Sequence, residues 1–454
     1  MNCQNNIPLI PGSLAVVVGA GRSGLAAARL LGTLGLKVRI LEKKNNPSLC
    51  TLAQAEGWEL LFGEHSSEQF KGAAVIIPSP GVPVSALLPF LPAEAQNLIM
   101  GEMELAYTQL VARKSKEAII AITGTSGKTT TASICAAMLE EAGKKVFLGG
   151  NIGVPLSEYL LASELAGTQT GKRPNALPNL LADVLVLEVS SFQLQTCRSF
   201  RPNVAMLLNI SENHLDYHAD MAEYSDAKFK LFACQTSSDY AIFPEEMRAD
   251  ALVQSLAAQK IFFKTGNNFP NTSLLGQHNQ LNLEAAWQAV HALELLGLEG
   301  LSLQAAQNAA ANFQAIEHRL ERLPEINGVM FVNDSKSTTV DSLRVALNAM
   351  NRPVLLLAGG VFKGGDLTAL IPLIKEKVRA VGLFGASREV FETAWQSVTD
   401  VSWSPSLEEA CKKLLAKAQR GDVLLLSPAT ASFDLYSNYK ERGNDFKRIW
   451  ESLQ

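Results

Sequence analysis

Thr123-Gly124-Thr125-Ser126-Gly127-Lys128-Thr129-Thr130 combines a glycine turn, an ammonium group and a row of hydroxyls at a spacing that suits phosphate. The apolar run Ala118-Ile119-Ile120-Ala121-Ile122 precedes it, and a helix-patterned segment, Ala132 to Leu139, follows. Strand, glycine turn and helix form the context in which a phosphate loop works. Backbone N–H groups and the helix N-terminus cradle the phosphates, Lys128 brings a charge to them, and Thr129 offers its hydroxyl to Mg²⁺. Gly124, Thr125, Ser126, Gly127 and Thr130 complete the expected contacts to a nucleoside triphosphate. Position 122, a glycine in the general pattern, is isoleucine, so the loop is of a shorter type.

A second glycine turn, Gly19-Ala20-Gly21-Arg22-Ser23-Gly24, follows the apolar run Leu14–Val18. It matches the dinucleotide fingerprint, with acidic Glu42 ending the next strand. The glycines alone admit a nicotinamide dinucleotide, any nucleotide diphosphate, or only tight strand–helix packing. Glu188 closes the apolar strand Val184–Leu187, where a carboxylate in the sheet of a phosphate loop is placed for Mg²⁺; a solvated strand end is the plain alternative. Ser190-Ser191-Phe192-Gln193 adds polar donors at the same edge. His214 follows the strand Val204–Leu208, but by pattern His218 is an equal candidate. Lys228, beside Phe229, Leu231 and Phe232, reads as a surface lysine of a helix. Asn279 and Asn282 lie three apart on one helix face, near a helix start where asparagine is commonly a cap. Arg319, after His318, either reaches a γ-phosphate or holds a domain junction.

These residues need parallel sheets to carry them. The chain has 454 residues, 47% hydrophobic and 19% charged, with a formal net charge of -4. That length suggests about three domains. The composition is that of a globular protein, and the absence of a basic tract argues against nucleic acid as a partner. The six cysteines show neither metal-type spacing nor a dense disulfide framework, which fits a reducing, cytoplasmic setting. No apolar run is long enough for a membrane span. Three blocks follow: 1–100, 101–315 and 316–454. In the first, strands Leu14–Val18 and Lys37–Leu41 flank a helix at Leu25 to Leu34. The second holds the phosphate loop, and its segment Leu161 to Leu180 reads as a surface loop. The third alternates strands (Val329–Val332, Val354–Leu357, Ala380–Phe384, Val423–Leu426) with helical segments such as Leu367 to Val378 and Leu407 to Ala418. The expected class is α/β: an N-terminal Rossmann-like domain, a central ATPase-like parallel sheet with the phosphate loop, and a C-terminal Rossmann-like doubly wound sheet. In the third block, Asn333 to Thr338, Gly359 to Gly365 and Ser427 to Phe433 all leave carboxyl ends of strands. Their cations and hydroxyls suit a small molecule bearing carboxylates.

Thr-Gly-Thr-Ser-Gly-Lys-Thr-Thr, Glu-Val-Ser-Ser-Phe-Gln-Leu, Asn-Ile-Ser-Glu-Asn-His-Leu-Asp and Gly-Gln-His-Asn resemble, in type and order, the motifs of the Mur ligases of peptidoglycan synthesis. Gly-Ala-Gly-Arg-Ser-Gly-Leu-Ala-Ala, Ser-Pro-Gly-Val, Asn-Asp-Ser-Lys-Ser-Thr and the tail from Ser427 to Phe446 are similar to the members that join D-glutamate to UDP-N-acetylmuramoyl-L-alanine. The resemblance implies a UDP-sugar site in the first domain, ATP in the second and D-glutamate in the third. Gly21, Arg22, Ser23 and Gly24 would line the UDP site, with Glu42 and Lys43 near uracil and Ser79, Gly81 and Asn151 near the sugar-diphosphate. Asn279 and Asn282 would approach adenine, and Arg319 and Asp334 would contact ATP. Thr129, Glu188, His214 and Lys228 would form the Mg²⁺ site, with Lys228 carbamylated by CO₂ to become an anionic oxygen ligand. Thr338, Lys363, Ser432 and Tyr439 would hold D-glutamate; phenylalanine is common at the Tyr439 position, so its hydroxyl is not expected to be essential. Lys128, His214, Lys228, Arg319 and Lys336 would fall at catalytic positions. The implied reaction passes through an acyl phosphate, with the C-terminal domain closing to exclude water. A monomer acting on these small molecules is expected. A nicotinamide-dependent dehydrogenase, a ligase for another amino acid and a nucleotide-gated binding protein are the rival readings.

Overall fold

The computed structural model describes residues 7–167, 181–212 and 217–454. It contains two compact units, Met1–Lys264 with Asn282–Ala309, and Thr265–Leu281 with Ala310–Gln454.

The first unit carries two sheets. Strands β1 (Leu14–Val18), β2 (Lys37–Glu42), β3 (Glu59–Phe62) and β4 (Ala73–Pro78) form a parallel sheet in the order β3-β2-β1-β4. The chain reverses direction across β1, so the loops after β1 and β4 border a topological switch point, where ligands collect in such folds. The helix Arg22–Thr33 buries Ala26, Ala27, Ala28, Leu30 and Leu31, the small residues letting it approach the sheet closely.

Strands β5 (Ala118–Thr123), β6 (Val146–Gly150), β7 (Val184–Glu188), β8 (Val204–Leu207), β9 (Tyr240–Pro244) and β10 (Gln259–Phe263) form the central parallel sheet, in the order β10-β9-β8-β5-β7-β6. Its inner strands are apolar without alternation because helices cover both faces. Ile120, Ala121 and Ile122 are fully buried; each such isoleucine contributes about 1.5–3 kcal/mol. Ile122 therefore occupies a core position of β5 rather than the loop. The segment read as a loop from Leu161 begins instead as helix: Leu156–Gly167 is one continuous helix, its Leu-Ala-Ser-Glu-Leu-Ala stretch being rich in good helix formers. The rest of that segment lies outside the described residues.

The second unit holds β11 (Glu321–Ile326), β12 (Val329–Asn333), β13 (Val354–Gly359), β14 (Val378–Phe384), β15 (Asp400–Ser404) and β16 (Val423–Leu426), in the order β11-β12-β16-β13-β14-β15. Only β11 is antiparallel. It contains Pro324, which an edge strand tolerates. Central strand β16 lies between β12 and β13, so the three loops singled out in this region leave adjacent carboxyl ends. The fold is thus three α/β domains built on largely parallel sheets.

Among the described residues, no helix is long and apolar enough to cross a membrane.

Candidate active site

The phosphate loop leaves β5 at the centre of its sheet. Gly124 (φ 151°) and Gly127 (φ 84°) adopt backbone angles that other residues rarely accept. A Cβ at Gly127 would stand 2.8 Å from the Asn282 side-chain oxygen. The helix Lys128–Glu141 then starts without a side-chain cap on its first turn, the arrangement that leaves its N-terminal end open to an anion. The loop is braced from β8. Asn209 accepts hydrogen bonds from the backbone N–H of Thr125 (3.1 Å) and Ser126 (2.9 Å), and donates to the Ser126 carbonyl (3.1 Å). Asn209 has no role in the sequence reading. The signal was present, since Asn209 lies just past the carboxyl end of β8, at the same edge where Glu188 ends β7.

Glu188 ends β7, buried beside β5 and β6. Its carboxylate accepts from the Thr129 hydroxyl and the Asn151 amide, both at 2.8 Å. Both donors are neutral, and among the described residues Glu188, 2% exposed, forms no ion pair. This arrangement fits a divalent cation that prefers hard oxygen ligands, with Glu188 and Thr129 as the protein's contribution. Asn151, expected near the sugar-diphosphate, is bonded to this carboxylate. His214 lies outside the described residues. Among the described residues no cluster of three or more acidic, histidine or cysteine side chains is assembled.

Lys228 is not on the surface. The helix Met221–Phe229 turns Tyr224, Ala227 and Lys228 inward, leaving Lys228 only 1% exposed. Its Nζ donates to the Gly124 carbonyl at 2.9 Å and lies 4.4 Å from the centre of the Tyr224 ring. Burial, reinforced by the charge of Lys128, pushes its pKa down to about 7. The Tyr224 hydroxyl hydrogen-bonds with Thr125 Oγ1 at 3.1 Å, tying this helix to the loop. His218 is buried as well. Its ring nitrogens meet Ser191 Oγ (2.9 Å) and Gln195 Nε2 (3.3 Å), among the rings of Phe192, Tyr217 and Tyr224. It is engaged as a packing and hydrogen-bonding residue.

In the first sheet, Gly24 is required by packing. A Cβ there would lie 2.1 Å from the Gly19 carbonyl oxygen and 2.6 Å from Ser79 Oγ. Ser79 donates to that same carbonyl at 2.8 Å, joining the loops after β1 and β4. Space is open at Gly21, which starts the helix Arg22–Thr33 with no side-chain cap, and at Gly81. The Glu42 carboxylate accepts from the backbone N–H of Ala20 and Lys43, each at 2.9 Å. The structure therefore brings Gly21, Arg22, Ser23, Gly24, Glu42, Ser79 and Gly81 to one carboxyl edge.

In the second unit, Asp334 follows β12 and is buried. It accepts from the Leu320 N–H (3.1 Å) and the Ser427 hydroxyl (3.0 Å), and desolvation pushes its pKa up to about 7 despite those bonds. Arg442, fully buried and without a role in the sequence reading, clasps two loops. It donates to Ser335 Oγ (3.1 Å), the Ser335 carbonyl (2.8 Å) and the Thr430 carbonyl (3.1 Å). His318 (φ 66°) precedes Arg319 at the entry to β11. Lys336 Nζ stands 4.3 Å from the centre of the Tyr439 ring, and Lys363 Nζ 5.5 Å from that of Phe433. Ser432 is buried in the loop after β16, and Thr338 follows β12 in the Asn333–Thr338 loop. Asn279 and Asn282 occupy the start of the helix Gln277–Leu295. Asn279 Nδ2 donates to the Leu275 carbonyl at 2.8 Å.

The fold and site define a three-domain α/β protein of the phosphate-loop class. Three family models match it: the Mur ligase MurD-like N-terminal domain over residues 13–97, the Mur ligase middle domain over 122–268, and the Mur ligase glutamate ligase domain over 318–430. The UDP-N-acetylmuramoylalanine--D-glutamate ligase of Oleidesulfovibrio alaskensis is 55% identical over 444 residues, 97% of this chain and 94% of the relative. The ligase of the same name from Nitratidesulfovibrio vulgaris is 52% identical over 98% of this chain and 97% of its own. Among solved structures, MurF ligase from Thermotoga maritima in complex with ADP matches with a TM-score of 0.57 at 16% identity, covering 92% of this chain and 95% of that one. That last likeness concerns the fold. The chain belongs to the Mur ligase family, and it is an ATP-dependent amide ligase.

Proposed function

We propose that this protein adds D-glutamate to UDP-N-acetylmuramoyl-L-alanine, forming ADP and phosphate, as a cytoplasmic, monomeric enzyme of peptidoglycan precursor synthesis. The observation that carries the reading is the near-complete, 55%-identical alignment with a ligase named for that reaction. Residues 1–100 are assigned to the sugar nucleotide, 101–315 to ATP and 316–454 to the amino acid.

A carboxylate is a poor electrophile, so it must first be activated. The L-alanyl carboxylate attacks the γ-phosphorus of ATP; the bond to ADP breaks and an acyl phosphate forms. The D-glutamate amine then attacks the acyl carbon, loses a proton, and phosphate departs with the C–O bond electrons. Gly124, Thr125, Ser126, Gly127 and Thr130 position the phosphates through their backbone and hydroxyl groups. Lys128 offsets the charge that builds on them. Thr129, Glu188 and His214 would hold Mg²⁺, which would supply further charge neutralisation at the phosphates. Arg319 and Asp334 are assigned to ATP, together with Asn279 and Asn282. Lys336 is assigned a catalytic role, and Thr338, Lys363, Ser432 and Tyr439 the D-glutamate. Gly21 to Gly24, Glu42, Lys43, Ser79, Gly81 and Asn151 are assigned the UDP-sugar.

Lys228 is assigned as the carbamate. Its neutral amine adds to the carbon of CO₂ and loses one proton, turning a cation into an anionic oxygen ligand. Support comes from its burial and its pKa of about 7, which make the neutral amine accessible at neutral pH.

The test is phosphate release from ATP and Mg²⁺ with each organic substrate alone and with both. Release that needs both supports the reading; release without D-glutamate or without the UDP-sugar sinks it. The dehydrogenase reading predicts instead an absorbance change with a nicotinamide cofactor.

A further inference from the structure

The start of β5, at the opposite end of that strand from the phosphate loop, borders a cleft of about 550 Å³. That volume falls within the roughly 300–1,000 Å³ of small-molecule sites. Leu110, Val111, Ile119, Leu185, Leu293 and Leu296 give it an aliphatic wall. Val111 and Leu296 are 54% and 39% exposed, high for large apolar side chains. The polar groups in the cleft are unequally used. Its carboxylates are spent: Asp239 receives Arg201 Nε at 2.8 Å, and Glu117 pairs with Arg113 at 3.2 Å. Of its two cations, Arg201 is taken by that ion pair with Asp239 and Lys116 is left over. Arg201 Nη2 bonds Thr236 (2.8 Å) and Ser238 (2.9 Å); among the described residues its Nη1 makes no hydrogen bond and exposed Lys116 forms no ion pair. Tyr107 adds an aromatic edge.

We infer that this cleft is a second ligand site, separate from the nucleotide and substrate sites, that takes a small amphipathic anion: an apolar body against the leucines and an anionic head at Lys116 and Arg201. The aliphatic wall supplies area, the Lys116 charge sets orientation, and Arg201 Nη1 offers a further N–H to the head group. None of the lining residues belongs to the catalytic or substrate-binding machinery. Any such ligand binds the folded chain and raises its Tm by mass action.

The experiment titrates the full-length protein with 8-anilinonaphthalene-1-sulfonate, an aromatic sulfonate of suitable size, with and without a saturating non-hydrolysable ATP analogue. The expected result is one saturable site per chain, unaffected by the analogue. In Leu296→Glu and Lys116→Glu, which place a like charge beside the anionic head, affinity falls on the order of tenfold. Unchanged binding of the ATP analogue by both variants shows that they remain folded. Absence of saturation up to about 1 mM probe, equal affinity in the variants, or displacement by the nucleotide would each overturn the inference.

Discussion

Lys128 and Lys228 donate to the same oxygen. Their Nζ atoms lie 2.8 and 2.9 Å from the carbonyl oxygen of Gly124. Burial, and secondly the neighbouring charge of Lys128, bring Lys228 down to about 7. An exposed lysine stays protonated to above pH 10. Because the folded pKa lies below the unfolded one, the protonated amine costs the fold stability. That cost is fully present below about pH 7 and is relieved as pH rises towards the unfolded value.

The carbamate assignment therefore carries a pH signature. In ¹³CO₂-equilibrated buffer, wild-type protein should show one enriched carbamate resonance by NMR, declining as pH falls below about 7. Lys228→Ala should lack the resonance and the ligase activity, and short carboxylates should restore part of that activity. Lys128→Met removes the like charge, so the decline should move to higher pH. A resonance that persists in Lys228→Ala would exclude this lysine as the site.

Glu188 is a buried carboxylate whose hydrogen bonds among the described residues come from neutral donors, Thr129 and Asn151. Glu188→Gln keeps the shape and removes the charge. The expected outcome is a fall in kcat of about 10²–10³, a strongly raised Mg²⁺ requirement and little change in Tm. Normal Mg²⁺ dependence in this variant would remove Glu188 from the metal site.

The two glycines of the first turn should fail differently. Gly24→Ala forces a Cβ onto the Gly19 carbonyl and Ser79, and should cost about 1–3 kcal/mol of stability. Gly21 has open space around it. Gly21→Ala should melt like wild type yet raise KM for the UDP-sugar without raising KM for ATP. Thermal melts and substrate titrations separate the two effects.

Asp334, held near pKa 7 by burial, is an ionised group the fold resists. Its folded value lies above its unfolded one, so its contribution to stability declines as pH rises from about 4 to 7. Asp334→Asn should flatten that part of the stability–pH curve, measured by denaturant melts at a series of pH values. An unchanged slope would mean that Asp334 ionises freely in the folded protein.

Runs such as Ala118–Ile122 and Val184–Leu187 were legible as buried parallel strands because nothing in them alternates. The loops at their ends followed. Mixed or short strands such as β3, β11 and β15 were not legible, since their partly exposed residues lack a clear period. Lys228 was misread by pattern because a lysine in a helix is ordinarily solvated. Only the tertiary approach of that helix to Gly124 explains its burial. The same holds for Arg442, whose three carbonyl and hydroxyl bonds reach residues distant in sequence.

Activation of the substrate carboxylate by ATP is the central claim, and oxygen transfer tests it most directly. UDP-N-acetylmuramoyl-L-alanine labelled with ¹⁸O in its carboxylate is turned over with ATP, Mg²⁺ and D-glutamate, and the released phosphate is analysed by mass spectrometry. The account predicts one ¹⁸O in the phosphate for each amide formed, and neither amide nor labelled phosphate when L-glutamate, L-lysine or meso-diaminopimelate replaces D-glutamate. Phosphate free of label, with D-glutamate joined to the sugar nucleotide, would contradict it.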